Sequence, residues 1–148
     1  MTPTTYGPRQ RRDKVVPYVV SALLRGESAR LSSGAQAADW IYVDDVIDAL
    51  LAAAVAPGAV GEELDIGTGT LTTVREVVRK IAEITKTDVQ PQFGVLPDRP
   101  LEHVRVADVE RAAHILGWRA TTSLDSGLER TIVWHRQQLD RGKGGSRR

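Results

Sequence analysis

Residues 39–56, Asp39-Trp40-Ile41-Tyr42-Val43-Asp44-Asp45-Val46-Ile47-Asp48-Ala49-Leu50-Leu51-Ala52-Ala53-Ala54-Val55-Ala56, read as a strand that turns straight into a helix. Trp40 to Val43 are aromatic or β-branched, which suits a pleated, half-buried strand. Asp44 or Asp45 can then accept a hydrogen bond from the orphan N–H groups of a helix that begins at once. Along that helix Val46, Ile47, Leu50, Leu51 and Ala54 form one apolar stripe, and Pro57-Gly58 stops it.

On the N-terminal side of this unit, Tyr6-Gly7-Pro8 is followed by the basic cluster Arg9, Arg11, Arg12 and Lys14. Val16, Val19, Val20, Leu23 and Leu24 then mark a helix with Pro17 tolerated in its first turn and Gly26 as its stop. Ala29 to Ser32 reads as a short strand before the turn Ser33-Gly34. On the C-terminal side a strand is expected at Glu63 to Ile66. Thr73-x-x-Glu76 is a capping box for a helix whose Val74, Val77, Val78, Ile81 and Ile84 face the core. Val89 to Val95 reads as another strand and Pro97 to Pro100 as a loop. Asp108 caps a short helix ending at Gly117-Trp118. Ser123 opens the last helix, with Leu124, Leu128, Ile132 and Leu139 on one side.

Short strands alternating with helices make this an α/β or α+β domain with a small mixed sheet. The long series of Val/Ile-rich parallel strands that a complete dinucleotide-binding sheet requires is lacking. With 148 residues, one domain at 1–140 is expected, followed by a disordered basic tail at 141–148. The net charge is +1, and four basic residues (Arg141, Lys143, Arg147, Arg148) lie in that tail. Subtracting them leaves −3 on residues 1–140. Such a balance makes no case for a nucleic-acid partner. The apolar runs are too short to cross a bilayer, and the start has no signal-peptide pattern. There is no cysteine, so disulfide and thiol chemistry are excluded, which fits a cytoplasmic protein.

Gly67-Thr68-Gly69 invites comparison with a dinucleotide-binding loop. That chemistry needs a third glycine, where this chain has Thr72, and the preceding segment carries Glu62, Glu63 and Asp65. The structural reading of the loop is preferred, and no cofactor-binding residue is assigned. His103, His114 and His135 lie far apart without metal-ligand spacing, so no metal is expected. His114 and His135 are expected to be surface or partly packed residues. No catalytic constellation is legible.

The junction W-I-Y-V-D-D resembles one in the extended short-chain dehydrogenase/reductases, the NAD(P)-dependent nucleotide-sugar epimerases and dehydratases. Four more pieces resemble the same family in the same order. They are Y-G-P-R-Q at 6–10, Val15-Val16-Pro17, A-D-V-E-R-A-A-H-I-L-G-W at 107–118 and T-S-L-D-S-G-L-E-R-T-I-V-W at 122–134. I-G-T-G at 66–69 is likewise similar to a family loop that is not the NAD fingerprint. The resemblance implies the C-terminal, substrate-binding half of such an enzyme, truncated so that the N-terminal Rossmann half is missing. The family uses NAD or NADP; none is expected for this chain alone. The family's acid/base pair is a Tyr with a Lys four residues later. Tyr6, Tyr18 and Tyr42 are followed at that spacing by Gln10, Ala22 and Val46.

Carried over residue by residue, the resemblance implies that Arg99, in L-P-D-R-P, grips a nucleotide diphosphate with its planar fork. Arg9, Gln36 and the backbone around Val15, Val16 and Pro17 would complete a weak substrate site. Two family positions depart from the pattern, Ala38 in place of a diphosphate-binding Arg and Thr4 in place of an Asn. The leading expectation is a nucleotide-sugar-binding or accessory module without hydride transfer of its own. The alternatives are a cofactor-independent enzyme of isomerase or hydrolase type reusing the sugar pocket, one half of a split epimerase/dehydratase whose Rossmann half is a separate chain, and a structural interaction protein. For the enzyme alternative, Asp39, Asp44, Asp45 and Glu102 are the acid/base candidates, with capping and surface roles preferred for the last three. A homodimer is expected, formed by the segments around Tyr6 to Tyr18 and Trp40 to Tyr42 that a cofactor half would otherwise cover.

Overall fold

The computed structural model describes residues 4–98 and 106–144. Three strands and five helices follow in the order β1 (Thr4–Tyr6), α1 (Val15–Leu24), β2 (Ala37–Tyr42), α2 (Val43–Val55), β3 (Leu71–Thr73), α3 (Val74–Thr85), α4 (Val109–Leu116) and α5 (Leu124–Gly144). A single 3-10 turn, Pro57–Ala59, follows α2. The expected α/β class with a small mixed sheet is what the chain forms. β2 is the central strand, and it serves its two neighbours with different residues. Trp40, Ile41 and Tyr42 pair in parallel with Thr4, Thr5 and Tyr6, whereas Ala37, Ala38 and Asp39 pair antiparallel with Thr73, Thr72 and Leu71.

The core lies where α1, α3 and α5 close over this sheet. Val16, Val19, Val20 and Leu23 of α1 meet Val77, Val78 and Ile81 of α3 and Leu128 and Ile132 of α5, with Tyr6, Trp40 and Tyr42 beneath them. The aromatic residues are fixed as well as buried. Trp40 Nε1 donates to the Thr72 carbonyl at 2.8 Å, Tyr6 Oη donates to the Leu124 carbonyl at 3.3 Å, and the Tyr6 and Tyr42 rings meet edge-on at 5.7 Å. Gly127 is required at the last contact, because a Cβ there would run into the Tyr6 hydroxyl.

The local end signals read from the sequence hold. Thr73 and Glu76 form the reciprocal capping box of α3, Asp108 accepts from Arg111 N–H at the start of α4, and Gly117 ends α4 in the left-handed conformation. Ser123 Oγ accepts from Ser126 N–H at the start of α5. Two expectations are corrected. Glu63 to Ile66 is not a strand; the strand after α2 is Leu71–Thr73, immediately before the capping box. Neither Asp44 nor Asp45 is the N-cap of α2, a position occupied by Tyr42 without a side-chain cap. Asp44 is exposed, while Asp45 is buried and faces inward. The last helix, α5, runs to Gly144. Residues 145–148 of the expected tail lie outside the described residues.

α2 has the expected stripe, but the stripe faces water. Ile47, Leu50 and Leu51 are exposed, and the residues buried on this helix are Asp45 and Ala49. Among the described residues, no helix is long and apolar enough to cross a membrane.

Candidate functional site

α1 starts without a side-chain cap, so the N–H groups of its first turn, those of Val15 and Val16, have no helical partner, and Pro17 has none to offer. The side chains of Val16 and Pro17 are buried in the core; what they present outward is backbone and the positive end of a helix. One turn on, the Tyr18 hydroxyl accepts from Arg30 N–H at 3.0 Å and lies 3.4 Å from the Arg30 carbonyl, to which it donates. This pair ties the start of α1 to the segment 29–33.

That segment is laddered against 92–96. Gln92 N–H donates to Ala29, Leu31 N–H to Gln92, Gly94 N–H to Ser32 and Val95 N–H to Leu31, at 2.8 to 3.1 Å. The two expected strands, Ala29 to Ser32 and Val89 to Val95, therefore do meet, but as one isolated bridge and not as full strands. The ladder carries the chain to Asp98, whose carboxylate accepts from Ser33 N–H at 2.9 Å. Hydrogen bonds from Ser33 hold the Asp98 carboxyl below its ordinary value. Beyond Ser33, the Gly34 carbonyl accepts from Arg75 N–H and the Gln36 carbonyl from Val74 N–H, both at 2.9 Å. Gly34 is needed here: its φ is +70°, and a Cβ would press on Arg75 and on Phe93, over which the Arg75 guanidinium stacks at 4.2 Å.

One continuous set of hydrogen bonds thus gathers the start of α1, the Ser33–Gln36 loop and the residue next to Arg99. Arg99 itself lies outside the described residues, as do Glu102 and His103. Arg9 is exposed in the turn after β1 with a φ of 65°. That turn is closed on itself by Gln10, which donates from Nε2 to the Thr5 carbonyl at 2.7 Å, and among the described residues no hydrogen bond joins it to the Ser33 loop. Arg30 was missed by the sequence reading. It is exposed between buried Ala29 and Leu31, an alternation that was available as a signal for an outward-pointing cation. A separate open groove of about 510 Å³ runs along the C-terminal half of α3 between Arg79, Glu83, Lys86 and Phe93, with no acid/base pair at hydrogen-bonding distance among the described residues.

The carboxylates nominated for chemistry are committed elsewhere. Asp39 accepts from Thr68 N–H, Thr68 Oγ1 and Gly69 N–H. Those amides are the ones a pyrophosphate would need, and an added Cβ at Gly67 would stand 2.6 Å from both Ala107 Cβ and Asp39 Oδ2. The Gly67-Thr68-Gly69 loop is therefore built around an internal carboxylate, and its residues do not fit a dinucleotide cradle. Asp45 accepts from Thr121 N–H, Thr121 Oγ1 and Thr122 N–H at 3.1 to 3.2 Å, joining α2 to the lead-in of α5. The surface role preferred for Asp45 is thereby corrected to a buried clamp. Burial pushes the phenols of Tyr6 and Tyr42 up, and for Tyr42 the neighbouring Asp44 adds to it, opposite to the shift an acid/base tyrosine needs near neutrality. His114 is exposed on α4. His135 is buried, against the expectation of a surface or partly packed residue, with no partner at Nε2.

A chain of this architecture has solved counterparts. Residues 1–67 match the model of the NAD dependent epimerase/dehydratase family. The chain is 32% identical to UDP-glucose 4-epimerase of Mycolicibacterium smegmatis, covering 90% of itself and 43% of that protein. It is 28% identical to human dTDP-D-glucose 4,6-dehydratase, covering 93% of itself and 41% of that protein. The crystal structure of UDP-glucose 4-epimerase with UDP-glucose from Thermotoga maritima superposes with a TM-score of 0.83 at 33% identity, over 93% of this chain and 45% of that one. The chain is similar to the NAD-dependent epimerases and dehydratases over part of their length, consistent with a fragment of an extended short-chain dehydrogenase/reductase. It spans about two fifths of the length of the curated relatives it matches.

Proposed function

We propose that this chain is a nucleotide-sugar-binding or accessory module of the epimerase/dehydratase type, which by itself holds no NAD and transfers no hydride. The observation that carries the reading is the hydrogen-bonded assembly Tyr18–Arg30 and Ser33–Asp98, which draws the uncapped start of α1 towards the loop that continues into Arg99. Free backbone N–H groups at a helix start suit phosphate oxygens, and Arg30 and Arg99 supply planar forks for the same oxygens. Relatives crystallised with UDP-glucose and with UDP-glucuronic acid and NAD support a nucleotide diphosphate sugar as the ligand class. Gln36 and Arg9 take secondary parts in this reading.

No second catalytic reading is favoured, because Asp39 and Asp45 spend their oxygens on backbone and threonine donors. The proposal extends to a cytoplasmic protein that works as a homodimer or beside a separate Rossmann-type chain. Calorimetric titration with UDP-glucose and dTDP-glucose tests it. Heat that saturates at micromolar to millimolar ligand is expected; no heat with either nucleotide sugar rejects the ligand, and turnover of either sugar by the chain alone rejects the accessory role.

A further inference from the structure

Lys86 ends α3 in the left-handed conformation, with a φ of 54°, and the chain that follows turns back beside the helix. Phe93 reaches as far back as Arg75, whose guanidinium lies over its ring at 4.2 Å. Phe93 is held in place, because Gln92 and Gly94 on either side of it bond to Ala29 and Ser32. At the far end of α3, Arg136 reaches across from α5 and donates to the Thr85 carbonyl at 3.2 Å. Between the helix and the returning chain lies the groove of about 510 Å³. That volume falls among the roughly 300–1,000 Å³ of small-molecule sites. Its floor is half-buried Ala82, Pro91 and Phe93, and its rim is exposed Arg79, Glu83, Lys86 and Gln90.

The charges on the rim do not neutralise one another. Arg79 and Glu83 stand one turn apart on α3 and Lys86 three residues further on, spacings at which opposite charges can meet. Among the described residues none of the three forms an ion pair. The other carboxylate near Arg79, that of Glu76, is taken by the Thr73 N–H and hydroxyl. A cation and a carboxylate side by side, next to an aromatic floor, complement a ligand with a carboxylate and an ammonium on one carbon beside a ring. The ligand carboxylate accepts from Arg79, with Lys86 adding charge, and the ammonium donates to Glu83. The ring meets Phe93, where offset or edge-on contact between aromatic rings is favourable. An aromatic anion without the ammonium would set its charge against Glu83 with nothing to offset the repulsion, so Glu83 selects the zwitterion.

We propose that the groove beside α3 binds a free aromatic α-amino acid, at a site separate from the nucleotide-sugar site and independent of it. The groove is open, so its charge pairs stay wetted and saturation is expected at roughly millimolar ligand. Titration of the isotope-labelled chain with L-phenylalanine, followed by NMR, is expected to shift amides between Arg79 and Phe93 and to saturate. L-alanine, which lacks the ring, and phenylpropionate, which lacks the ammonium, are each expected to bind about threefold or more weaker. Arg79→Gln and Glu83→Gln, both at exposed positions, should weaken L-phenylalanine to a similar extent with the rest of the spectrum unchanged. If L-phenylalanine, L-tyrosine and L-tryptophan all fail to give saturating shifts there, the site is overturned. Equal binding of phenylpropionate, or full affinity in Glu83→Gln, overturns the amino acid as its ligand. UDP-glucose should bind Arg79→Gln as it binds the wild type, and weaker binding would overturn the separation of the two sites.

Discussion

Thr68 is held twice by Asp39, across 29 residues of sequence. The Thr68 N–H donates to Oδ1 at 2.9 Å and lies 3.1 Å from Oδ2, and the Thr68 hydroxyl donates to Oδ1 at 2.6 Å. Gly69 N–H adds a further bond to Oδ2 at 2.9 Å. The carboxylate is 2% exposed, so water does not stand in for these donors. A hydrogen bond to a charged group contributes about 1.5–3 kcal/mol, and buried donors left without it cost about as much again. Asp39→Ala should therefore lose roughly 3 kcal/mol or more, and Asp39→Asn less, since the amide keeps one acceptor. Urea unfolding would show this as a lower midpoint at unchanged slope; a shift below a few tenths of a kcal/mol would refute the clamp.

Two glycines of the same helix should respond in opposite directions. Gly127 on α5 has no room for a methyl group beside Tyr6, so Gly127→Ala should cost about 1–3 kcal/mol by overpacking. Gly142, near the end of α5, meets nothing within 4 Å, and Gly142→Ala should raise stability by roughly 0.5–1 kcal/mol through helix propensity. Thermal unfolding of both variants checks the pair, and equal signs would show that α5 is packed differently.

Stability should fall in mild acid because of His135. Burial lowers its pKa from the ordinary 6.5, the Arg12 charge lowers it further, and Nε2 has no partner. The unfolded chain thus takes up its proton first as pH drops below about 6.5, and the neutral-state advantage, complete above that pH, is lost towards the lower folded pKa. Asp13, Glu76, Asp98 and Glu110 are lowered from 3.8 or 4.5, so their stabilising share is lost only in a more acidic range. The melting temperature should decline from about pH 7 to pH 5 in the wild type, and His135→Phe should flatten that decline. An equally steep decline in the variant would assign it to other groups.

Arg99→Ala should weaken nucleotide-sugar binding about tenfold or more, the value of a bidentate charge-assisted contact. Tyr18→Phe, which removes the tie between α1 and Arg30, should weaken it by a smaller factor while leaving the fold intact. Calorimetry on both variants would decide this, and undiminished affinity in Arg99→Ala would move the site elsewhere.

NAD(H) and NADP(H) should give no micromolar binding isotherm with this chain alone, since the amides of the Gly67-Thr68-Gly69 loop already bind Asp39. A dissociation constant in that range by titration would mean that another surface holds the dinucleotide.

Local chemistry made much of this protein legible from its residues. The capping box of Thr73 and Glu76, the Asp108 cap, the Gly117 stop and the stripes of α1 and α3 each depend on residues within a turn or two of one another, and each formed as the spacing implied. The order of family-like segments implied the class of fold by the same local means. Partners distant in sequence were beyond reach. Nothing near Asp45 announces Thr121 and Thr122, 76 and 77 residues away, nor does Asp39 announce Thr68. β3 is three residues long, too short for its alternation to stand out, and it is a strand because Ala37 to Asp39 pair with it. For the candidate site, the start of α1 and Gln36 could be named from resemblance, whereas Tyr18, Arg30 and Asp98 entered only once the chain was folded. Periodicity reveals that α2 has an apolar side, but which side is covered depends on what packs there, and for Ile47, Leu50 and Leu51 that was decided by tertiary structure alone.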